Sequence, residues 1–148
     1  MHIANLLWFY GTRGQIDQQL FSSMAPTIVA LDDKLDGQNL ANIGWAYAVA
    51  NVDAPLLFDD HFVITCLEKK DEFILGQKSQ LHQWNLWQEE LKSNSQLDQS
   101  LQEECYEAFV SRDPSPSALQ NDVVLQLRSI GLDPVEEALT KRGYLLDA

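Results

Sequence analysis

Basic residues are scarce in this chain. Ten Lys and Arg stand against 22 Asp and Glu, which leaves a net charge of −12. Phosphate neutralisation by Lys and Arg supplies most non-specific affinity for nucleic acid, so this balance argues against a free-standing nucleic-acid binder. It suits a soluble fragment or a protein-binding scaffold better. Cysteine is equally sparse. Cys66 and Cys105 sit in no Cys-x-x-Cys pair and near no histidine at ligand spacing, which excludes a disulfide framework and a zinc site of ordinary pattern. Both read as small buried apolar residues in a reducing compartment. No apolar run approaches the ~18 residues of a membrane span. Met1-His2-Ile3 leads straight into a patterned helix, without the basic and apolar regions of a secretory signal. That start is expected to enter the middle of a repeat array. The chain also lacks a Ser-His-Asp or Cys-His constellation and a Gly-rich phosphate loop, so neither enzymatic activity nor a cofactor or metal is expected.

What the chain does have is length for a core: 148 residues at 45% hydrophobic composition, enough for one domain or a small domain plus part of another. It also has an internal repeat. Ala4-Asn5-Leu6-Leu7-Trp8-Phe9-Tyr10 and Ala41-Asn42-Ile43-Gly44-Trp45-Ala46-Tyr47 share Ala, Asn, Trp and Tyr at an offset of 37 residues. Leu20-Phe21 and Leu57-Phe58 keep the same offset. Periods of 20–50 residues mark stacked supersecondary units.

Each unit reads as two helices. Ile3, Leu6, Leu7 and Tyr10 fall at helical spacing, as do Leu40, Ile43 and Tyr47 in the copy. Asp36 is the expected N-cap of that copy, with Gly37 opening it. Gly11 and Gly14 are expected to break the chain after the first helix. The second helix carries Leu20, Phe21, Met24, Ile28 and Leu31, and Pro26 within it should kink or split it. In the second copy, Pro55 is expected at the first helical position, with Phe58, Phe62 and Cys66 lining one face. Trp8 and Trp45 read as packing wedges between paired helices, or as base-stacking platforms. Asn5 and Asn42, on largely apolar helices, must find partners if buried; they either tie adjacent repeats together through the backbone or read a base.

The charged run Glu68–Glu72 reads as a solvated helix end or link. Leu81, Trp84, Trp87 and Leu91 then pattern a helix that suggests a diverged third unit, with Trp84 placed 39 residues after Trp45. His82 has no ligand companion and reads as structural or exposed. Leu101, Cys105 and Phe109 pattern a helix over 97–110. Asp113-Pro114-Ser115-Pro116 breaks the chain, and Leu119, Val123, Leu127 and Ile130 are expected as the buried stripe of the next helix. Val135–Thr140 and Tyr144–Asp147 then read as two strands around Lys141-Arg142-Gly143.

The block Leu40-Ala41-Asn42-Ile43-Gly44-Trp45-Ala46-Tyr47-Ala48 resembles the leading helix of the octotricopeptide and heptatricopeptide repeats, two-helix units of organellar RNA-binding proteins. The resemblance covers roughly residues 1–68. The segment from Ser117, with Leu119-Gln120-Asn121-Asp122-Val123-Val124 and Gly143-Tyr144-Leu145-Leu146-Asp147-Ala148, resembles the start of an RAP domain, an RNA-binding module with a restriction-endonuclease-like fold. RAP domains commonly follow such repeats, so the order of parts adds to either likeness.

These readings set the expectations. The fold is mainly α: helical-hairpin repeats forming an α-solenoid fragment over 1–112, then a helix and a short C-terminal β-hairpin over 113–148, the truncated start of an RAP domain. The resemblance implies a fragment of an organellar (mitochondrial or chloroplast) RNA-metabolism protein that binds single-stranded RNA on the concave face of the stacked helices. Asn5, Arg13, Lys34 and Asn42 are the candidate contacts. Asp147 matches the first acidic position of the endonuclease-like pattern; alone it cannot hold the cations that a phosphodiester cut requires. The alternative is a protein-interaction scaffold without RNA binding, which the acidic charge favours.

Overall fold

The computed structural model describes residues 2–31, 34–111, 118–132, 134 and 138–146. The fold is mainly helical. Seven α-helices occur among the described residues: α1 His2–Arg13, α2 Gln18–Val29, α3 Gly37–Ala50, α4 Asp60–Glu68, α5 Leu75–Glu90, α6 Gln99–Val110 and α7 Ala118–Ser129. The chain divides into two compact units between Phe109 and Val110. The expected boundary at 112 lies outside the described residues.

The first unit is built around α3, which lies between α1 and α5. Its buried positions are too many for one stripe: besides Leu40, Ile43 and Tyr47, the side chains of Ala41, Asn42 and Ala46 and the backbone at Gly44 are buried, which takes the buried surface most of the way round the helix. A helix apolar on most sides must be enclosed. The three helices run parallel, because successive contacts advance together along each pair. Asn5 meets Asn42 near one end of α1, and Gly11 meets Trp45 and Ala46 nearer the other. Asn42, Trp45 and Asn51 likewise meet Gln80, Gln83 and Trp87 in that order. Close approach depends on two helical glycines. A Cβ on Gly11 would stand 3.1 Å from the Trp45 ring, and one on Gly44 would stand 3.2 Å from Trp84.

Helix α6 returns along α5 in the opposite sense. Ser79 Oγ donates to Ala108 O, while Leu97 N–H at the other end donates to Asn85 Oδ1 at 2.9 Å. Lys78 pairs with Glu104 across the same junction. The core is threaded by aromatic rings in edge contact: Phe21 on Tyr47, Tyr47 on Phe58, Phe58 on Phe62 and Trp87, with Trp84 tilted against Phe58 and Phe62. Offset or edge-on rings gain from their quadrupoles as well as from burial. The buried Tyr47 hydroxyl donates to Phe21 O at 2.7 Å.

Helix ends follow the expected chemistry at some places and depart from it at others. Asp36 caps α3, accepting from Asn39 N at 2.8 Å. The charged run is more than a link: Glu72 Oε2 accepts from Gly37 N at 2.9 Å, so a second carboxylate holds the same helix N-terminus. Gly11 does not end α1; the helix continues to Arg13 because Gly11 is the small residue that admits Trp45. The turn comes at Gly14, in the left-handed region at φ 63°. Pro26 does not split α2. It stands in the last turn, where losing one N–H costs one bond, and its carbonyl still accepts from Ala30 N at 3.1 Å. Pro55 is not a helix start. Asp59 is the better cap, accepting from the His61 and Phe62 N–H groups, so α4 begins at Asp60. Leu91 follows α5 and is 39% exposed rather than part of the buried stripe.

The second unit contains α7 and a two-residue antiparallel pairing, Ala138 with Leu146 and Leu139 with Leu145. Among the described side chains of α7, Val124 is buried and Leu127 half-buried, while Val123 and Ile130, expected inside, are exposed. The described strand residues are Ala138–Leu139 and Leu145–Leu146.

Tyr47→Phe removes the donor that ties α3 to the Phe21 carbonyl of α2. Chemical denaturation followed by circular dichroism should show a loss of ~0.5–1.5 kcal/mol. An unchanged midpoint would mean that the hydroxyl does not hold α2 to α3.

Candidate nucleic-acid interface on the parallel helices

The residues at matching positions of α1, α3 and α5 form two rows. The first is a chain of carboxamides. Gln80 Nε2 donates to Asn42 Oδ1 at 3.3 Å, and Asn42 Nδ2 donates to Asn5 Oδ1 at 3.4 Å. One helical turn further along lies the second row, Trp8, Trp45 and Gln83. Trp45 Nε1 donates to Gln83 Oε1 at 3.2 Å, and Gln83 Nε2 donates to Ser79 O at 3.4 Å. The two asparagines therefore do tie neighbouring helices, through side chains rather than through the backbone. An interior amide of α3 is satisfied on both sides by its own copies.

Exposure grades along the rows. Asn42 is buried, Trp45, Gln80 and Gln83 are half-buried, Asn5 is exposed and Trp8 is 40% exposed. Trp8 is thus no wedge in this fold; its ring is available at the surface. No carboxylate is found in α1 or α3, and in α5 the acids are Glu89 and Glu90, at its last two positions.

The candidate contacts divide into two sets. Asn5 and Asn42 come together. Arg13 stands at the far end of α1 with its guanidinium 5.4 Å from the Phe9 ring centroid, a cation–π arrangement. Lys34 is exposed in the turn before α3, and its backbone N–H donates to Leu31 O at 2.9 Å. No described contact joins either cation to the amides. Asp147 lies outside the described residues. The third members of the rows, Gln80 and Gln83, escaped the sequence reading because amide replaced amide and Gln replaced Trp. The alignment on Trp84 was one residue out of step: Trp84 turns inward onto Gly44 instead.

Elsewhere the chemistry is quiet. A cleft of about 220 Å³ between α5 and α6 is lined by His82, Asn85, Glu89, Glu103 and Tyr106, among others. His82 is buried there against the Tyr106 and Phe109 rings. Both cysteines are buried, and burial pushes the Cys105 thiol up to about 12, so it stays protonated and unreactive at neutral pH. No group of three or more His, Cys, Asp or Glu side chains gathers for a metal among the described residues. No helix among them is long and apolar enough to cross a membrane.

Asn42→Ala removes the middle rung and leaves the half-buried Gln80 amide without this partner, while Asn5 turns to solvent. The urea midpoint should fall by the equivalent of ~0.5–1.5 kcal/mol. A neutral substitution would reduce the ladder to incidental contact.

Comparison of the chain with protein families, with curated proteins and with solved structures finds no match.

Proposed function

We propose that this chain is a fragment of an organellar RNA-metabolism protein of the heptatricopeptide or octotricopeptide kind, leading into an RAP-like segment, and that it binds single-stranded RNA. In this reading α1–α2, α3–α4 and α5–α6 are three hairpin units of an α-solenoid, and the short pairing near the C-terminus belongs to the β-hairpin that opens the RAP-like part. The observation that supports it is the carboxylate-free pair of rows: Asn5, Asn42 and Gln80 beside Trp8, Trp45 and Gln83. Amides on successive stacked helices can hydrogen-bond base edges, and exposed rings can stack bases. Acidic groups would repel the phosphates, and the rows have none. Arg13 and Lys34 would serve phosphates at the margins.

This reading makes binding depend on stacking and amide contacts more than on charge. Fluorescence anisotropy with a labelled single-stranded RNA should give a shallow salt dependence, a log–log slope near about −1.4 for two phosphate contacts. Trp8→Ala should weaken binding by the ~1–3 kcal/mol of one stacked base while leaving the fold intact, since Trp8 is surface-exposed. No binding at low salt removes the proposal for this chain. A slope several times steeper would put the interface on a basic surface elsewhere.

The net charge favours a second reading, a protein-binding scaffold. Recovery of basic proteins on the immobilised chain, insensitive to nuclease, together with no anisotropy change, would establish it over the first.

A further inference from the structure

Helix α5 has two working faces. Gln80, Gln83 and Trp87 meet α3, and the opposite side borders the cleft of about 220 Å³ shared with α6. The cleft is larger than the ~150 Å³ cavity that holds benzene, so it has room for one small ring and a short arm. Its floor is apolar, with Leu86, Leu97 and Cys105 all buried. One end is aromatic, where the His82 ring packs on the Tyr106 ring at 5.6 Å. The two carboxylates of the lining, Glu89 and Glu103, lie nearer the connection between the antiparallel helices.

The polar lining spends its amide donors on the protein itself. Asn85 Nδ2 donates to Glu89 Oε1 at 3.2 Å, and Gln102 Nε2 donates to Leu97 O at 2.6 Å. Asn85 Oδ1 accepts from Leu97 N–H at 2.9 Å, and Glu103 Oε1 accepts from Gln99 Nε2 at 3.1 Å. What remains for a guest is mainly acceptors, the second oxygens of the two carboxylates. No Lys or Arg lines the cleft, and neither carboxylate meets a cation among the described residues. The next residue, Glu104, does not line the cleft, and it pairs with both Lys78 and Lys70. Helix α6 thus keeps its cation-bound carboxylate out of the cleft and turns a cation-free one onto it.

Such a lining selects a guest that donates, carries positive charge and is apolar behind the charge. The Tyr106 face adds its own attraction for a cation, and a net charge of −12 favours the approach of one. We propose that the cleft between α5 and α6 binds a small aralkylammonium ion, with its N–H groups on Glu89 and Glu103 and its ring against Leu86, Cys105 and Tyr106. The site lies on the side of α5 away from the amide rows, so it stands whether or not RNA binds there.

Titration of the ¹⁵N-labelled full chain with 2-phenylethylammonium chloride, followed by amide chemical shifts, tests this. Saturable shifts should gather in residues 82–89 and 97–106. Glu89→Gln keeps an acceptor for Asn85 Nδ2, so the spectrum should remain that of the folded chain, while the dissociation constant should rise roughly tenfold or more. The uncharged 2-phenylethanol should bind weaker by a similar factor. Glu107→Gln, at an exposed position of α6 outside the cleft, should leave the affinity unchanged. Absence of saturable shifts at millimolar probe overturns the proposal, as do shifts centred elsewhere. Equal affinity for the alcohol, or for the Glu89→Gln chain, overturns it too, and so does a Glu107→Gln loss as large as that of Glu89→Gln.

Discussion

The enclosure of α3 is the constraint on which the first unit depends. A helix with parallel neighbours on both sides buries most of its positions, so a polar side chain at a buried position must be answered by a neighbour. Asn42 is answered twice, by Asn5 and by Gln80. Its ends are answered as well: Asp36 and Glu72 hold the first N–H groups, and Asn51, in the left-handed conformation at φ 51°, accepts from Trp87 Nε1 at 3.0 Å. Backbone approach at Gly11 and Gly44 makes these short side chains long enough to reach. A Cβ at either glycine would press on the facing indole, Trp45 or Trp84, which would have to give by a few tenths of an ångström.

The same enclosure sorts the charge. Carboxylates cannot enter α3 and are also missing from α1, so they collect in the turns, on α4 and α6, and at the end of α5. Net charge alone would dismiss nucleic acid as a ligand. Its distribution leaves α1 and α3 with amides and indoles and without Asp or Glu. Binding there would rest on base contacts, which sets it apart from a phosphate-driven interface.

Much of the helical architecture was legible because buried positions recur at helical spacing, and Asp36 announced its cap by type and place. The 37-residue offset also named the Asn5–Asn42 contact indirectly, by setting the two amides at equivalent positions. Other features were hidden by physics that acts at a distance in sequence. Glu72 caps a helix 35 residues before it, which a local pattern cannot show. Gly11 carries the composition of a breaker, yet its role is to receive Trp45. Gln80 and Gln83 complete the rows with altered residues, so identity-based matching passed over them in favour of Trp84. In α7 the apolar positions 123, 124, 127 and 130 cover a broad arc, and the spacing did not determine which edge of it would be covered.

The proposed function lays single-stranded RNA along the rows on α1, α3 and α5. Ultraviolet cross-linking of the full chain to a thiouridine-substituted single-stranded RNA, with the adducts located by mass spectrometry, addresses it most directly. The account predicts adducts at Trp8 and Trp45 and on the peptides carrying Gln80 and Gln83. Adducts confined to residues 110–148, or an absence of adducts at low salt, would contradict it.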